Sequence, residues 1–311
     1  MATLPPLPAS SYRGRLAPSP TGYLHVGHAR TFWTACQRAK DAGGTLVMRM
    51  EDLDPERSRA EYAEAALEDL RWLGIRWQEG PDLGGPFAPY AQSGRRAFYL
   101  DAWRKLRRGG FLFPCRCSRK DLEAALSAPH ENILPGQSNA ESEPLDDEPV
   151  YPGTCRQLGD ITPQATDSTA SEMEETEGFN WRFRVPDGEA IEFVDGNLGA
   201  QQFVAGVDFG DFVVWRRDGS PSYQLACVAD DAAMKITEVV RGEDLLKSTA
   251  RQILLYRALG LEAPDWFHCR LMVDSRGRRL AKRHDALSLC TLRQRGVTPM
   301  NILSGELPAE G

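Results

Sequence analysis

The chain has 311 residues, of which 41% are hydrophobic and 26% are charged. A chain of this length can bury the core of one large domain with insertions, or of two small domains. No apolar run is long enough to cross a bilayer, and the first residues lack the basic and apolar regions of a signal peptide. We therefore expect a globular protein with no membrane partner.

Cysteine content and charge distribution restrict the class further. Seven cysteines are an odd number in a chain of this size, which favours a reducing, cytoplasmic compartment over a disulfide framework. The net charge of −7 argues against a nucleic-acid partner. Acidic runs at 141–148 and 172–177 are, however, separate from basic runs at 95–108 and 270–283. Local patches therefore decide whether RNA can dock.

The first elements in chain order are a strand and a helix joined by a proline-rich turn. Residues 1–10 have the composition of a disordered lead, and residues 12–17 form the first predicted strand. Pro18 and Pro20 end strand pairing, because proline cannot donate to a ladder. An amphipathic helix then runs to about Lys40.

Two histidines mark the start of this helix. His25 and His28 stand on either side of Gly27. A helix N-terminus that follows a strand favours anions, because its free N–H groups and its dipole both attract negative charge. Imidazoles at this position can donate to the oxygens of a phosphate under attack, and glycine allows a nucleotide close to the backbone.

The next segment repeats the alternation of strand and helix. An apolar run at 45–50 is typical of a buried parallel strand, and Asp54 and Pro55 predict the N-cap and first residue of a helix that ends at Gly74. Strand–helix–strand–helix order predicts an α/β fold with a doubly wound parallel sheet.

Farther along, the pattern predicts a helix over 93–108 with Phe98, Ala102, Trp103 and Leu106 inward. Polar and acidic segments at 128–149 and 159–178 predict loops. Alternating hydrophobicity predicts four strands, over 181–185, 191–194, 212–215 and 223–228. A further strand over 238–244 leads into a helix that ends at Gly260.

Four side chains in the middle of the chain offer metal ligands. Cys115 and Cys117 are separated by one residue, and Tyr151 precedes Cys155 by four positions. Three thiolates and a phenolate suit tetrahedral zinc in a closed structural site. The alternative is a set of buried cysteines without a metal.

A basic segment follows the strand-like residues 271–273. It reads Arg279-Leu-Ala-Lys282-Arg283, and such a segment suits a phosphate-binding loop. Taken alone it is equally typical of an ordinary basic surface loop.

The run Arg15-Leu-Ala-Pro-Ser-Pro-Thr-Gly-Tyr-Leu-His-Val-Gly-His-Ala-Arg30 resembles the HIGH signature of class I aminoacyl-tRNA synthetases of the glutamyl branch. The segment around Lys282 resembles the KMSKS loop of the same class, with arginine first, alanine in place of serine and arginine last. The resemblance extends from about Arg13 to about Val297.

This resemblance implies a Rossmann-like doubly wound parallel sheet with an inserted α+β subdomain that binds zinc. The implied core comprises 11–110 and 201–290, the insertion 111–200, and the C-terminal tail 291–311.

The resemblance also implies the roles of individual residues. The implied catalytic groups are His25, His28 and Lys282, which would bind ATP together with Gly27. The implied glutamate contacts are Arg15, Leu16, Ala17, Pro18, Ser19, Glu51, Tyr223 and Arg241. The implied zinc ligands are Cys115, Cys117, Tyr151 and Cys155, and Mg²⁺ would accompany ATP. For Glu51 and Arg241 the alternative is a purely structural ion pair.

Only residues 286–311 follow the basic loop, too few for an anticodon-binding domain. The chain therefore resembles the short glutamyl-Q subfamily, which activates L-glutamate with ATP and transfers it to the queuosine base of tRNA(Asp). A monomer is expected. The alternatives are a short glutamyl-tRNA synthetase that charges a tRNA 3′ end, a non-catalytic paralogue that binds RNA or glutamate, and a relative that uses another acid.

Overall fold

The structure is a computed structural model, and it describes residues 11–118, 121, 150–156, 178–272 and 288–304. The predicted lead at 1–10, most of both acidic segments and Lys282 lie outside the described residues.

The described strands are β1 (Arg13–Leu16), β2 (Thr45–Met48), β3 (Leu112–Cys115), β4 (Asn180–Phe183), β5 (Ala190–Asp195), β6 (Gly199–Val204), β7 (Phe212–Trp215), β8 (Glu238–Gly242) and β9 (Asp265–Cys269). The described α-helices are α1 (Val26–Asp41), α2 (Ala60–Trp72), α3 (Arg96–Arg108), α4 (Tyr223–Ala233), α5 (Leu246–Leu259), α6 (Leu289–Gln294) and α7 (Pro299–Ser304). None of the helices in these ranges is both long enough and apolar enough to cross a membrane.

The central sheet is mostly parallel. β1 pairs with β2, β8 pairs with β9, and β9 meets β5, all in parallel, whereas β6 runs antiparallel to β5. The N–H of Thr237 donates to the carbonyl of Arg13 over 2.9 Å, which places β1 beside β8. The parallel pair β2-β1 thus lies beside β8 of the four-stranded sheet β8-β9-β5-β6, and the predicted α/β fold with a parallel sheet is confirmed.

Alternate side chains of this sheet enter two separate cores. Leu46 and Met48 pack with apolar residues of α1 and α2, whereas Val47, between them, packs in the core that contains α3, α4 and α5. Successive residues of a strand point to opposite faces, so the helices cover both sides of the sheet. The sheet is therefore doubly wound, and its strand ends are left free to form a site.

A smaller antiparallel sheet has the order β3-β4-β7. Trp103 of α3 packs against Trp181 and Trp215 on one face of it, with ring centroids 5.1 and 6.2 Å away. Strand pairing crosses the expected domain boundary at residue 200, because β5 belongs to the central sheet and β7 belongs to the small one.

Two predicted elements are wrong. Residues 223–228, predicted as a strand, open helix α4, because the side chain of Ser222 accepts a hydrogen bond from the N–H of Leu225 and caps the helix. A short apolar run does not distinguish a buried helix from a buried strand. Asp54 caps only a turn, by accepting from the N–H of Arg57, and α2 begins at Ala60.

Smaller differences concern α3 and β9. Phe98, predicted to face inward, is 46% exposed. The strand expected at 271–273 lies earlier in the chain, as β9, and ends at Cys269. The predicted helix end at Gly74 is confirmed by its positive φ of 85°, a conformation that glycine adopts without strain.

Candidate active site

A cavity of about 400 Å³ opens at the carboxyl ends of β1, β2, β8 and β9. Ligands of open α/β sheets collect at this edge. Nine of the residues predicted from the sequence line it: Arg15, Ala17, Ser19, His25, Gly27, His28, Glu51, Tyr223 and Arg241. Leu16 and Pro18, also predicted, do not line it, and the side chain of Leu16 is fully buried in the core beside α1.

The N-terminus of α1 forms one wall. His25 is its N-cap residue, and the N–H of His25 donates to Nδ1 of His28 over 3.1 Å. Nδ1 of His28 is therefore an acceptor, and in the neutral ring the hydrogen is on Nε2. Apart from its chain neighbours and the backbone of its own helix, no described atom lies within 4 Å of the position that a Cβ on Gly27 would take. This wall thus combines a helix start, a ring donor and open space, which suits a phosphate group.

Arg15 and Glu51 lie on the floor of the cavity. Arg15 is 5% exposed, donates through Nη1 to the carbonyl of Val240 over 2.8 Å, and places Nε 3.7 Å from Asp231. Glu51 accepts from Arg49 over 2.9 Å. The alternative for Glu51, an ion pair within the protein, is therefore present, while its side chain still borders the cavity.

An ion-pair network that the sequence did not indicate supports this floor. Arg49 is fully buried and lies 2.5 Å from Asp231 and 3.9 Å from Asp230. Asp230 also accepts from Arg95, over 2.5 Å, and from the hydroxyl of Tyr99. Both aspartates are on α4, a helix whose first residues, 223–228, were predicted as a strand, so their orientation toward β2 could not be read from the pattern.

Arg241 is surrounded differently. It is 5% exposed and donates to Nε2 of His268 over 3.2 Å, to Oε1 of Gln252 over 2.9 Å and to Oγ1 of Thr249 over 2.6 Å. Its remaining contact is the carbonyl of Leu245. Within the described ranges no carboxylate forms an ion pair with it, so the alternative of a structural ion pair finds no partner there.

Tyr223 is the first residue of α4 and lines the same cavity as Arg241 and Glu51. Burial, and after it the neighbouring Cys227, raises the pKa of its hydroxyl well above the ordinary value. The hydroxyl therefore keeps its proton and can donate a hydrogen bond to a ligand carboxylate.

The four predicted metal ligands lie together in the small sheet. The Sγ atoms of Cys115, Cys117 and Cys155 are all within 4.8 Å of one another. The hydroxyl of Tyr151 lies 3.5 Å from Sγ of Cys115 and 3.6 Å from Sγ of Cys117. None of the seven cysteines, all of which fall in the described ranges, forms a disulfide. This cluster can hold a metal ion.

Both flanks of the basic loop reach the cavity. Met272, on one side, lines it, and Ser288, on the other, forms a bridge with His25. The N–H of Leu289 donates to the carbonyl of Leu24 over 2.7 Å. Lys282 lies between these flanks, outside the described residues, so its role stays a prediction.

A family model described as tRNA synthetases class I (E and Q), catalytic domain, matches residues 11–306. The chain belongs to this family. Among curated relatives of this synthetase chain, the glutamyl-Q tRNA(Asp) synthetase of Symbiobacterium thermophilum is 47% identical over 93% of the chain and 84% of the relative. The protein of the same name from Nitratidesulfovibrio vulgaris is 45% identical over 95% of the chain and 87% of the relative.

A solved structure has a similar fold. The glutamate-tRNA synthetase of Elizabethkingia anophelis superposes with a TM-score of 0.71 at 30% identity. The match covers 88% of this synthetase chain and 52% of the solved one. The chain thus spans about half the length of that synthetase.

Proposed function

We propose that the protein activates L-glutamate with ATP to glutamyl-adenylate, and then transfers the glutamate to the queuosine base at the wobble position of tRNA(Asp). The observation that carries this proposal is the cavity itself. It brings two buried arginines, a glutamate and the histidine-bearing end of α1 into one space. The names of the two relatives described above support the choice of substrate and acceptor.

Each wall of the cavity suits one part of the first reaction. The guanidinium charges of Arg15 and Arg241 can attract the two acidic ends of the substrate, and Glu51 can pair with its ammonium group. The substrate carboxylate then attacks the α-phosphate of ATP, and pyrophosphate leaves. The donors of His25 and His28 would stabilise the charge that grows on the phosphate oxygens. Mg²⁺ bound with ATP would neutralise further phosphate charge.

Lys282 completes the proposal for the first step. Its ammonium would stabilise the leaving pyrophosphate, as the resemblance to the KMSKS loop implies. Lys282→Ala should therefore depress adenylate formation far more than it changes unfolding stability. If this variant exchanged pyrophosphate into ATP at the wild-type rate, the loop would have no role in glutamate activation.

A second candidate is charging of a tRNA 3′ end. The solved glutamate-tRNA synthetase with a TM-score of 0.71 favours it, because that likeness concerns the same catalytic region. The two candidates share the adenylate and differ only in the acceptor.

Transfer of labelled glutamate to three acceptors separates these candidates. The acceptors are tRNA(Asp) with queuosine, tRNA(Asp) with guanosine at the same position, and tRNA(Glu). Label on the queuosine sample alone is the expected result. Label on tRNA(Glu) would favour the second candidate, and adenylate without any transfer would leave only the activation step.

We also propose that the metal in the cysteine cluster is zinc. Tetrahedral bonds of about 2.3 Å to sulfur and about 2.0–2.2 Å to oxygen place ligand atoms about 3.5–3.8 Å apart. The separation of 3.5 Å between Sγ of Cys117 and Sγ of Cys155, and those from the hydroxyl of Tyr151, fit this geometry. A zinc ion would fix the end of β3 and leave no open coordination position for catalysis.

Elemental analysis of the purified protein should give one zinc ion per chain. Cys155→Ser should reduce the bound zinc strongly, whereas Cys290→Ser, away from the cluster, should not. Tyr151→Phe distinguishes a phenolate ligand from a water in the fourth position, because zinc persists in the second case.

We also propose that the enzyme is cytoplasmic and monomeric. Sedimentation of the zinc-loaded protein tests whether it is a monomer.

A further inference from the structure

His268 is a buried histidine near the carboxyl end of β9 that the proposed reaction does not use. It is 0% exposed. Its Nδ1 lies 2.6 Å from Oδ2 of Asp195, and its Nε2 lies 3.2 Å from Nε of Arg241 and 3.1 Å from Oγ1 of Thr249. The ring therefore connects a carboxylate on β5 with the arginine that borders the cavity from β8.

The direction of these hydrogen bonds determines the state of the ring. The Nε of an arginine can only donate, so Nε2 of His268 must accept. The hydrogen of a neutral ring is then on Nδ1, where Asp195 accepts it. Burial and the nearby Arg241 both lower the pKa of His268, to about 4, against the opposing effect of Asp195. The ring is thus neutral at neutral pH.

The loop after β5 holds Asp195 in turn. Its Oδ1 accepts from the N–H groups of Asn197, over 3.0 Å, and Leu198, over 2.9 Å. The N–H of His268 also donates to the same carboxylate. These contacts fix the carboxylate, which fixes the plane of the imidazole, and the imidazole fixes the direction of the Arg241 Nε–H bond.

We propose that His268, oriented by Asp195, is a positioning residue that directs Arg241 at a carboxylate of the amino-acid substrate without neutralising the guanidinium charge. A carboxylate in place of the imidazole would also accept from Nε, but its charge would compete with the substrate. A neutral acceptor orients the group and leaves its charge for the ligand. The inference rests on the proposed function, since it needs Arg241 to bind glutamate.

The test is glutamate-dependent exchange between ATP and pyrophosphate in the full-length protein. His268→Leu removes the acceptor, and we expect the KM for glutamate to rise about tenfold or more, the range of a misdirected charge-assisted hydrogen bond, while the KM for ATP and kcat change little. His268→Gln supplies an amide oxygen that can accept from Arg241. Its KM for glutamate should therefore lie between the values of His268→Leu and the wild type.

A matched control is Asp211→Asn. Asp211 is also a buried carboxylate, 4% exposed, and accepts from the N–H of Val185 in the small sheet. Asp195→Asn should raise the KM for glutamate, and Asp211→Asn should not, even if both lower thermal stability equally. An unchanged glutamate KM in His268→Leu, or equal rises in both KM values, would overturn the inference.

Two further outcomes keep the proposals separate. If the wild-type protein shows no glutamate-dependent exchange, the proposed function is refuted. If exchange occurs and its glutamate KM does not change when His268 is substituted, only the positioning role is refuted. If the leucine variant does not fold, nitrogen NMR of the wild-type imidazole decides. A protonated Nδ1 and a bare Nε2 at neutral pH support the inference, and a protonated Nε2 contradicts it.

Discussion

Two buried arginines lie near the cavity, one in the network that supports its floor and one that lines it, and their partners differ in charge. Arg49 is 0% exposed and forms ion pairs with Glu51, Asp230 and Asp231. Arg241 is 5% exposed and, within the described part of the chain, all of its hydrogen-bond partners are neutral. A buried cation needs compensation, so Arg49 receives it from the fold, whereas Arg241 can receive it from a bound acid.

The comparison therefore separates a structural cation from a binding cation. Both types are found by looking for buried arginines, and only the charge of the partners distinguishes them. The variants below test this distinction from the largest expected effect to the smallest.

Removal of the structural cation should have the largest effect. Arg49→Met leaves three carboxylates close together in the core, and we expect a loss of about 3–5 kcal/mol in the free energy of unfolding. Arg257→Met is a suitable control, because Arg257 and Glu189 form an exposed pair, 51% and 46% exposed, whose loss should cost less than about 1 kcal/mol. Urea unfolding measures the free energy of unfolding of both variants. Equal losses would contradict the structural role of Arg49.

The neutral histidine predicts a pH effect on stability. The unfolded ring takes up a proton near pH 6.5, and the folded ring, facing Asp195, Arg241 and more distant Arg15, does so only near pH 4. Between pH 6.5 and pH 4 the unfolded state therefore binds more protons than the folded state. His268 contributes stability above pH 6.5, and this contribution is lost as the pH falls toward 4.

In His268→Gln this contribution is absent at every pH. The stability gap between wild type and variant should therefore narrow by about 3 kcal/mol between neutral pH and pH 4. Urea unfolding at several pH values measures the gap. A constant gap would mean that the ring has the same pKa in the folded and the unfolded protein.

Arg241→Lys tests the binding cation directly. Lysine keeps the charge but lacks the planar fork, so one charge-assisted hydrogen bond, about 1.5–3 kcal/mol, should be lost from glutamate binding. The glutamate KM should rise about 10–100-fold, and the KM for ATP should stay near its wild-type value. Unfolding stability should fall less than in Arg49→Met.

The smallest effect concerns a buried carboxylate on α2. Asp69 is 0% exposed, neither of its oxygens has a hydrogen-bond partner in the described residues, and the nearest cation, Arg293, is 3.5 Å away. Burial raises its pKa to about 6, with Glu68 adding to the effect. The folded protein therefore loses stability as the pH rises from about 4 to 6.

Asp69→Asn should recover part of that loss, about 1 kcal/mol at neutral pH and none below pH 4. Thermal or urea unfolding at the two pH values measures the change. Equal effects at both values would show that the carboxylate is not the origin of the instability.

Local signals in the sequence predicted one wall of the cavity, whereas the glutamate contacts were predicted from the resemblance. His25, His28 and Gly27 occur in one helix start, and Glu51 follows a buried strand at the edge where ligands collect. Tyr223 was placed correctly in the cavity although its element was wrong, because the position rested on the resemblance and not on the periodicity. The roles of these residues, and that of Lys282, stay predictions.

The residues that hold the wall in place were not predictable in this way. Asp195 and His268 are 73 positions apart, and each has an unremarkable neighbourhood in the sequence. Asp230 and Asp231 face β2 because the segment that begins after Ser222 folds as a helix. Such contacts depend on the order of the strands in the sheet, and the local hydrophobic periodicity of the sequence does not encode that order.

The bridge between His25 and Ser288 has a consequence for protein engineering. Residues 291–311 look like a dispensable tail, yet Leu292 and Ile302 are buried in the same core as α1, and the backbone entering α6 is bonded to the residue before His25. Truncation at 288 would thus remove a backbone donor beside a wall of the cavity and uncover one side of α1. The boundary of a minimal catalytic fragment lies after α7, not after the basic loop.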